Sequence, residues 1–131
     1  MADDGTVRAV GELSKALETI ERARGHLYSF HQLVGTADFA LEDAIDLLVL
    51  AGHAGWAEEL RTELLGRNVL RGRWTFQVVE EFEDMYYDLF RQMERRVRED
   101  LVGGERHPYE AWLKERRRTK GRPGHEASPD E

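Results

Sequence analysis

Apolar residues recur three and four positions apart along the first part of the chain, which is the spacing of one face of an α-helix. The pattern runs from Val10 to Val34 and is interrupted only by Arg24 and His31. It predicts one long amphipathic helix that ends at Gly35, because glycine is a common helix terminator. Arg24 is then expected to be exposed or to face acidic residues. No segment shows the sustained alternation of a half-buried strand, so we predict an all-α fold.

A glycine-rich interruption separates the second and third predicted helices. Thr36 or Asp38 can cap the second helix, since a short side-chain oxygen accepts a free backbone N–H at a helix start. This helix continues to Gly52, where the sequence GHAG favours a turn. A shorter helix is predicted to begin near Trp56 and to end near Gly66.

The last major helix is predicted from Trp74 to Leu101, and Gly103 with Gly104 stops it. Its apolar positions again follow helical spacing. They are Val79, Phe82, Tyr86, Leu89, Met93 and Val97. Pro108 suits the first turn of a further short helix, because a proline there has no N–H partner to lose.

Together these helices predict an antiparallel bundle of three long rods, residues 7–34, 38–66 and 74–101, with the middle rod broken at 52–55. The fold thus has four main helices and a short C-terminal helix. Residues 47–51 are apolar on nearly every side, so we expect them deepest in the core.

Composition divides the chain into a helical bundle domain, residues 1–105, a short basic helix, 106–118, and a tail, 119–131, that is predicted to be disordered. No cysteine is present, so disulfides, thiolate zinc sites and cysteine nucleophiles are excluded. The first residues carry no apolar run, and no stretch approaches about 18 consecutive apolar residues. We therefore expect a soluble, cytoplasmic protein with no membrane partner.

Charge is distributed unevenly around a net charge of −7. Residues 1–105 carry 12 Lys and Arg against 21 Asp and Glu, whereas residues 106–131 carry 7 against 5. A basic segment on an acidic body attracts polyanions. We predict that a basic strap contacts an acidic protein or nucleic acid. The strap residues are Arg116, Arg117, Arg118, Lys120 and Arg122.

The same stretch, RRRTKGRPG, resembles a degenerate AT-hook, a minor-groove element built on Arg-Gly-Arg-Pro. Lys120 replaces the first arginine of that core, whereas Gly121, Arg122 and Pro123 match it. The resemblance implies that Arg122 enters a narrow A·T groove from an extended backbone. A tail that is solvated, or that folds back on the acidic body, is the structural alternative.

Acidic residues suggest a second site. The sequences EELRTELL and EEFEDMYYDLF resemble the metal-binding helices of the all-α nucleotide pyrophosphohydrolases. The resemblance implies that Glu59, Glu63, Glu81 and Asp84 hold Mg²⁺, which prefers oxygen ligands and bridges substrate phosphates. Glu81 and Asp84 keep the family spacing, whereas Glu59 and Glu63 are four positions apart instead of three. The ordinary alternative is that these carboxylates lie on solvated helix faces.

A carboxylate and histidine metal site is a third hypothesis. Asp38, Glu42 and Asp46 recur every four residues, and His53 lies two turns further along. The ferritin-like Glu-x-x-His pattern is absent from the sequence. We therefore expect His31 to be a polar residue of the helix seam that hydrogen-bonds Asp46 or Glu42.

Aromatic side chains outside the predicted core either cap the bundle ends or form a contact surface, most simply a homodimer interface. They are Trp56, Trp74, Phe76, Tyr87, Phe90 and Trp112. The sequence contains no evident Ser-His-acid set or phosphate-binding glycine loop. It favours a self-associating helical interaction protein over an enzyme, and Mg²⁺ is expected only under the hydrolase alternative.

Overall fold

The computed structural model describes residues 3–130. Within that range it holds no β-strand, which confirms the all-α fold. The α-helices are α1 (Asp4–Leu50), α2 (Ala54–Glu63), α3 (Thr75–Phe82), α4 (Asp88–Val102) and α5 (Pro108–Arg117), and a π-helical segment (Glu83–Tyr87) joins α3 to α4. Across the described residues, no helix combines the length and the apolar character needed to cross a bilayer.

Helix α1 is 47 residues long and passes through Gly35, so the predicted end of the first helix there is wrong. One glycine costs a helix interior about 0.5–1 kcal/mol relative to alanine, which is too little to end a helix that packing supports. Thr36 does not cap a new helix, because its Oγ1 donates to the carbonyl oxygen of Gln32 at 3.0 Å, one turn earlier. The first predicted rod and the first half of the second therefore share one helix.

The buried seam of α1 explains why the helix continues. Beyond Val34, the three-and-four spacing resumes in phase at Asp38, Leu41, Ile45 and Leu48. Ile45 is completely buried, and Leu41 and Leu48 are half-buried. Because the buried face keeps its phase across the glycine, packing on both sides favours a single helix over two.

The break predicted at residues 52–55 is confirmed, at 51–53. Gly52 lies there with φ of 86°, in the left-handed region that glycine adopts without strain. Residues 47–51 are not the core that we predicted, since Leu47 is 65% and Leu50 83% exposed. Helix α1 buries a single stripe, and within that stretch only Leu48 lies on it.

The predicted helix 74–101 is present as α3, the π-helical segment and α4 in succession. A π-helix closes its hydrogen bonds over five residues instead of four, so the extra residue rotates the following helix face by about 100°. The predicted apolar face is therefore wrong at Tyr86, Leu89 and Met93, whereas Val97 is half-buried. Tyr86, Leu89 and Met93 are exposed, whereas Tyr87 and Glu94 are buried and Phe90 is half-buried.

Residue contacts group the chain into two compact units, residues 3–20 with 88–130, and Glu21–Tyr87. Both units contain part of α1, and the division after residues 105 and 118 stays a prediction. The buried residues of the first unit are Val10, Glu94 and Pro108, and those of the second are Ile45, Ala57, Thr75, Val79 and Tyr87. The arrangement of three antiparallel rods stays a prediction.

A buried carboxylate organises the first unit. Glu94 is 5% exposed, and it accepts a hydrogen bond from Ser14 Oγ at 2.7 Å and pairs with Arg98 at 3.2 Å. Arg98 in turn donates to the carbonyl oxygen of Gly104 at 2.7 Å, just after α4 ends at Val102. Pairing and hydrogen bonding thus offset the cost of burying this charge.

Replacing Gly35 with alanine is expected to raise the free energy of unfolding by about 0.5–1 kcal/mol, because alanine is the better helix former. A methyl group there meets no atom within 4 Å. Urea denaturation followed by circular dichroism measures the change. As a matched control, Gly52→Ala is expected to destabilise the protein, since φ there is 86°. Destabilisation by Gly35→Ala would contradict a continuous α1.

Candidate functional site

Three polar residues stand at seven-residue intervals on the otherwise apolar seam of α1. They are Arg24, His31 and Asp38, and each has a partner within the second unit. The three contacts are Arg24 Nη2 to Glu83 Oε1 at 2.7 Å, His31 Nδ1 to Thr75 Oγ1 at 2.6 Å, and the Gly66 N–H to Asp38 Oδ1 at 3.3 Å. The polar seam therefore specifies where the rest of the unit meets α1.

The Arg24 guanidinium forms the centre of the largest polar cluster. It lies 5.0 Å from the ring centroid of Tyr28 and 4.8 Å from that of Tyr87. Its Nε donates to Glu83 at 2.9 Å, and the Tyr28 hydroxyl donates to the same carboxylate oxygen at 2.6 Å. The Tyr87 hydroxyl donates to Glu21 at 3.1 Å. Ion pairing and cation–π contact thus act on one side chain.

The π-helical segment supplies two members of this cluster. Glu83 begins the segment and Tyr87 ends it. Side chains four positions apart lie on one side of a helix, in a π-helical turn as in an α-helical one, so both approach α1 and contact Arg24.

The cluster holds its groups in fixed protonation states. Hydrogen bonds from Tyr28 and then Arg24 lower the pKa of Glu83. The hydrogen bond to Glu83 raises the pKa of Tyr28, and that same carboxylate raises the pKa of Arg24. At neutral pH the carboxylate is ionised and the phenol protonated, so neither group is tuned to move a proton. The arrangement is suited to fixing helix register.

The sequence predicted part of this seam. Arg24 was expected to be exposed or to face acidic residues, and it pairs with Glu83. His31 is a hydrogen-bonded seam residue, but its partner is Thr75 and not Asp46 or Glu42. Both expected partners are exposed, whereas Thr75 at the start of α3 is buried against the seam.

The acidic candidates do not converge. Within residues 3–130, no group of three or more His, Asp or Glu side chains is placed to hold a metal ion. That statement covers both predicted sets, namely Glu59, Glu63, Glu81 and Asp84, and Asp38, Glu42, Asp46, His31 and His53. Glu81 instead pairs with Arg73 at 2.7 Å, and Asp46 lies 3.9 Å from Arg61. The hydrolase and metal hypotheses stay predictions from sequence.

The basic strap lies on α5 and just after it, in the first unit. Glu115 pairs with Arg118 at 2.8 Å and with Lys120 at 3.2 Å, and these two partners lower its pKa in that order. Arg116 stacks over the ring of Trp112 at 4.9 Å. The side chains of Arg116, Arg117, Lys120 and Arg122 are exposed, whereas Arg118 is half-buried.

Residues 119–130, for which the composition predicts disorder, follow a turn-rich path, and residue 131 lies outside the described range. The Arg122 N–H donates to the Thr119 carbonyl at 3.2 Å, and the His125 N–H to the Arg122 carbonyl at 3.0 Å. Gly121 and Gly124 have positive φ at the third position of these two turns. The extended backbone that the AT-hook resemblance implies is therefore not the conformation of this segment.

The half-buried Arg118 holds these turns against α5. Its Nη1 donates to the His125 carbonyl oxygen at 3.1 Å while its Nε contacts Glu115. The Thr119 N–H donates to Nδ1 of His125 at 3.1 Å, and Lys114 Nζ reaches the Ala127 carbonyl at 2.7 Å. Glycine at the third position of TKGR and of RPGH, and proline before it in RPGH, are typical of turns, so the sequence could have predicted these two turns.

The aromatic side chains that were predicted to lie outside the core differ in how exposed they are. Tyr87 is buried in the Arg24 cluster, and Phe90 and Trp112 are half-buried. Trp74 donates its Nε1–H to the Gly66 carbonyl at 3.0 Å and is 48% exposed. Trp56 and Phe76 are exposed as well. Only part of the set is available for contact with another molecule.

Glu83→Gln is expected to lower the free energy of unfolding by about 1 kcal/mol at neutral pH, because Arg24 loses its charged partner. Since the folded pKa of Glu83 is depressed, this stabilisation is present above the ordinary glutamate pKa. It disappears as the pH falls through the folded pKa, so the two proteins converge in strongly acidic solution. Urea denaturation over that pH range measures the difference.

Glu81→Gln is the matched control for that experiment. The Arg73 partner also lowers the pKa of Glu81, but the side chains of this pair are 39% and 50% exposed, against 34% and 26% for Arg24 and Glu83. Solvent screens the more exposed pair more strongly, so a smaller change is expected. Equal effects of the two substitutions would contradict the structural role of the Arg24 cluster.

Comparison with known proteins adds no identification. No protein-family model matches the chain, and neither a curated protein nor a solved structure is similar to it at a significant level.

Proposed function

We propose that this protein is a helical interaction module that works as a self-associated assembly and uses its basic strap to contact an acidic partner. One observation carries the first half of this proposal, namely the number of large apolar side chains that the described chain leaves exposed.

The character of the exposed surface supports burial by another protein. Among the described residues, eighteen large apolar side chains are exposed, whereas five hydrophobic residues and Pro108 are buried. Single exposed apolar residues are ordinary on protein surfaces, but a surplus over the core marks a surface that a partner covers. At about 25 cal/mol per Å² of apolar surface, covering a fraction of it favours association.

The basic strap supports the second half. Glu115 offsets part of its charge, but Arg116, Arg117 and Arg122 form no salt bridge with Glu115 and are exposed. The rest of the chain is strongly acidic, so an anionic partner is attracted at this end and repelled elsewhere. Nucleic acid and an acidic protein share the chemistry that this strap recognises.

Sedimentation velocity across micromolar concentrations is expected to give a mass above the 15.2 kDa of one chain. The association is expected to persist or strengthen as salt is raised, because apolar burial drives it and salt screens repulsion between acidic chains. A single 15.2 kDa species at several hundred micromolar would contradict self-association.

Replacing Arg116, Arg117, Lys120 and Arg122 with glutamine is expected to flatten the salt dependence of binding to an A·T-rich DNA duplex or to polyglutamate. For the duplex, each phosphate that the variant no longer neutralises reduces the steepness of the logarithmic salt slope by about 0.9. Arg118 stays in place because it holds the turns. Fluorescence anisotropy at several salt concentrations measures the slope.

A control variant removes as many charges from elsewhere on the surface, at Arg22, Arg67, Arg71 and Arg95, all of which are exposed. Its salt slope is expected to match that of the unmodified protein. If the control lowers the slope as much as the strap variant does, binding is a property of net charge and the strap proposal is wrong.

A further inference from the structure

A small cavity lies in the first unit, where the first turns of α1 approach the start of α5. Its volume is about 340 Å³, and the residues that line it are Gly5, Arg8, Ala9, Glu12 and Tyr109. Sites for small organic ligands generally measure about 300–1,000 Å³. The cavity therefore has room for a ring system, and it belongs to the same unit as the basic strap.

Gly11 holds the Tyr109 ring at this cavity, because it lets α5 approach α1 closely. A Cβ atom added to Gly11 would lie 2.7 Å from Cβ of Tyr109. Carbon atoms in van der Waals contact lie about 3.5–4.0 Å apart, so only glycine fits here. Tyr109 is half-buried, and the neighbouring Pro108 is buried. Packing thus fixes the ring before a ligand enters, which reduces the entropy lost on binding.

Arg8 and Glu12 supply a donor and an acceptor at the same cavity. They lie one helical turn apart and are exposed, and within residues 3–130 neither side chain forms a salt bridge or a hydrogen bond. Their opposite charges cancel, so the cavity does not repel an anion as the acidic body does. A ligand that uses these two side chains and Tyr109 needs a flat ring with a donor and an acceptor on its edge, which is the chemistry of a nucleobase.

We infer that this cavity binds an unpaired base of a single-stranded nucleic acid whose phosphates contact the basic strap. The base stacks on the ring of Tyr109, while Arg8 donates to its edge and Glu12 accepts from it. This inference rests on the proposed function, because it identifies the anionic partner of the strap as nucleic acid and assigns a second contact to that partner. A carboxylate of an acidic protein has no ring to stack on Tyr109, and Glu12 repels it.

Three flat side chains form a row along one side of α5, at the spacing of a helix face. The rings of Tyr109 and Trp112 stack with their centroids 5.8 Å apart, and the Arg116 guanidinium lies 4.9 Å from the Trp112 ring centroid. Unpaired bases stack on aromatic rings and on guanidinium groups. The row extends about 10 Å along the helix, which roughly three nucleotides at about 3.4 Å each span. A strand that follows the row from the cavity therefore reaches the strap.

The edges of the bases differ in how well they match Arg8 and Glu12. Cytosine carries an amino group that donates to a carboxylate, beside acceptors that suit a guanidinium. Thymine has a carbonyl oxygen in place of that amino group, and this oxygen would face Glu12 unfavourably. A base in a duplex is paired along this edge and stacked on both faces, so only an unpaired base enters. We expect a single strand of deoxycytidine to bind about fivefold tighter than one of thymidine.

Fluorescence anisotropy with two labelled probes tests the inference. One probe is a short single strand of deoxycytidine, and the other is an abasic strand of the same length, which keeps the phosphates and lacks every base. The unmodified protein is expected to bind the deoxycytidine strand about tenfold tighter, because stacking of a base on an aromatic side chain favours binding.

Tyr109→Leu removes the ring and keeps an apolar side chain against Gly11. It is expected to weaken binding of the deoxycytidine strand about tenfold. Its affinity for the abasic strand and its salt slope are expected to stay the same, since the phosphate contacts of the strap remain. Circular dichroism checks that the helical content is unchanged. An equal loss with both probes would contradict stacking on Tyr109.

Glu12→Ala tests the inference by the sign of its effect. If only net charge mattered, removing a carboxylate would strengthen binding of any polyanion. The inference predicts instead that the deoxycytidine strand binds about fivefold more weakly and loses its advantage over a thymidine strand. Glu42→Ala is the matched control, because Glu42 is exposed on α1 in the second unit, and it is expected not to weaken binding. Stronger binding by both variants would overturn the assignment of Glu12.

The outcomes separate this inference from the proposed function. Equal affinity of the unmodified protein for the deoxycytidine and abasic strands overturns the inference and leaves the role of the strap standing. Deoxycytidine monophosphate that binds as tightly as the strand also overturns it, since the cavity then serves a free nucleotide. An unchanged salt slope in the strap variant overturns both, because the strand then has no contact with the strap.

Discussion

Along α1, the residues that face the rest of the fold keep one helical spacing without a break. The rest of the structure depends on this constraint. A buried stripe that keeps its register from Val10 to Leu48 holds one helix together across Gly35, although local propensity there favours a break. The same rigid helix fixes the positions of the polar seam residues.

Polar residues on that seam give the second unit a defined register. The three residues are Arg24, His31 and Asp38, which lie seven positions apart. Each contacts one specific partner, namely Glu83, Thr75 and the Gly66 N–H in that order. An unpaired buried polar group costs more than a mismatched apolar contact, so these positions penalise any shift along the helix. The π-helical segment is part of this fit, since Glu83 and Tyr87 at its two ends both contact Arg24.

Sequence alone predicted the all-α class, the break near Gly52, the stop after α4 and the proline start of α5, because each depends on local periodicity or on glycine and proline. The prediction from sequence was wrong at Gly35. Glycine is a common helix terminator, but the helical spacing of apolar residues resumes in phase at Asp38 and the helix continues. The π-helical turn could not be predicted either. No local signal in the sequence marks its position.

The state of the backbone at residues 35–38 tests this account most directly, because a break there would decouple the two parts of the seam on either side. Amide hydrogen exchange resolved at single residues by nuclear magnetic resonance reports it. The account predicts protection at these amides comparable to that of the helical turns on either side. Rapid exchange confined to residues 35–38 would show two helices in place of one and would contradict it.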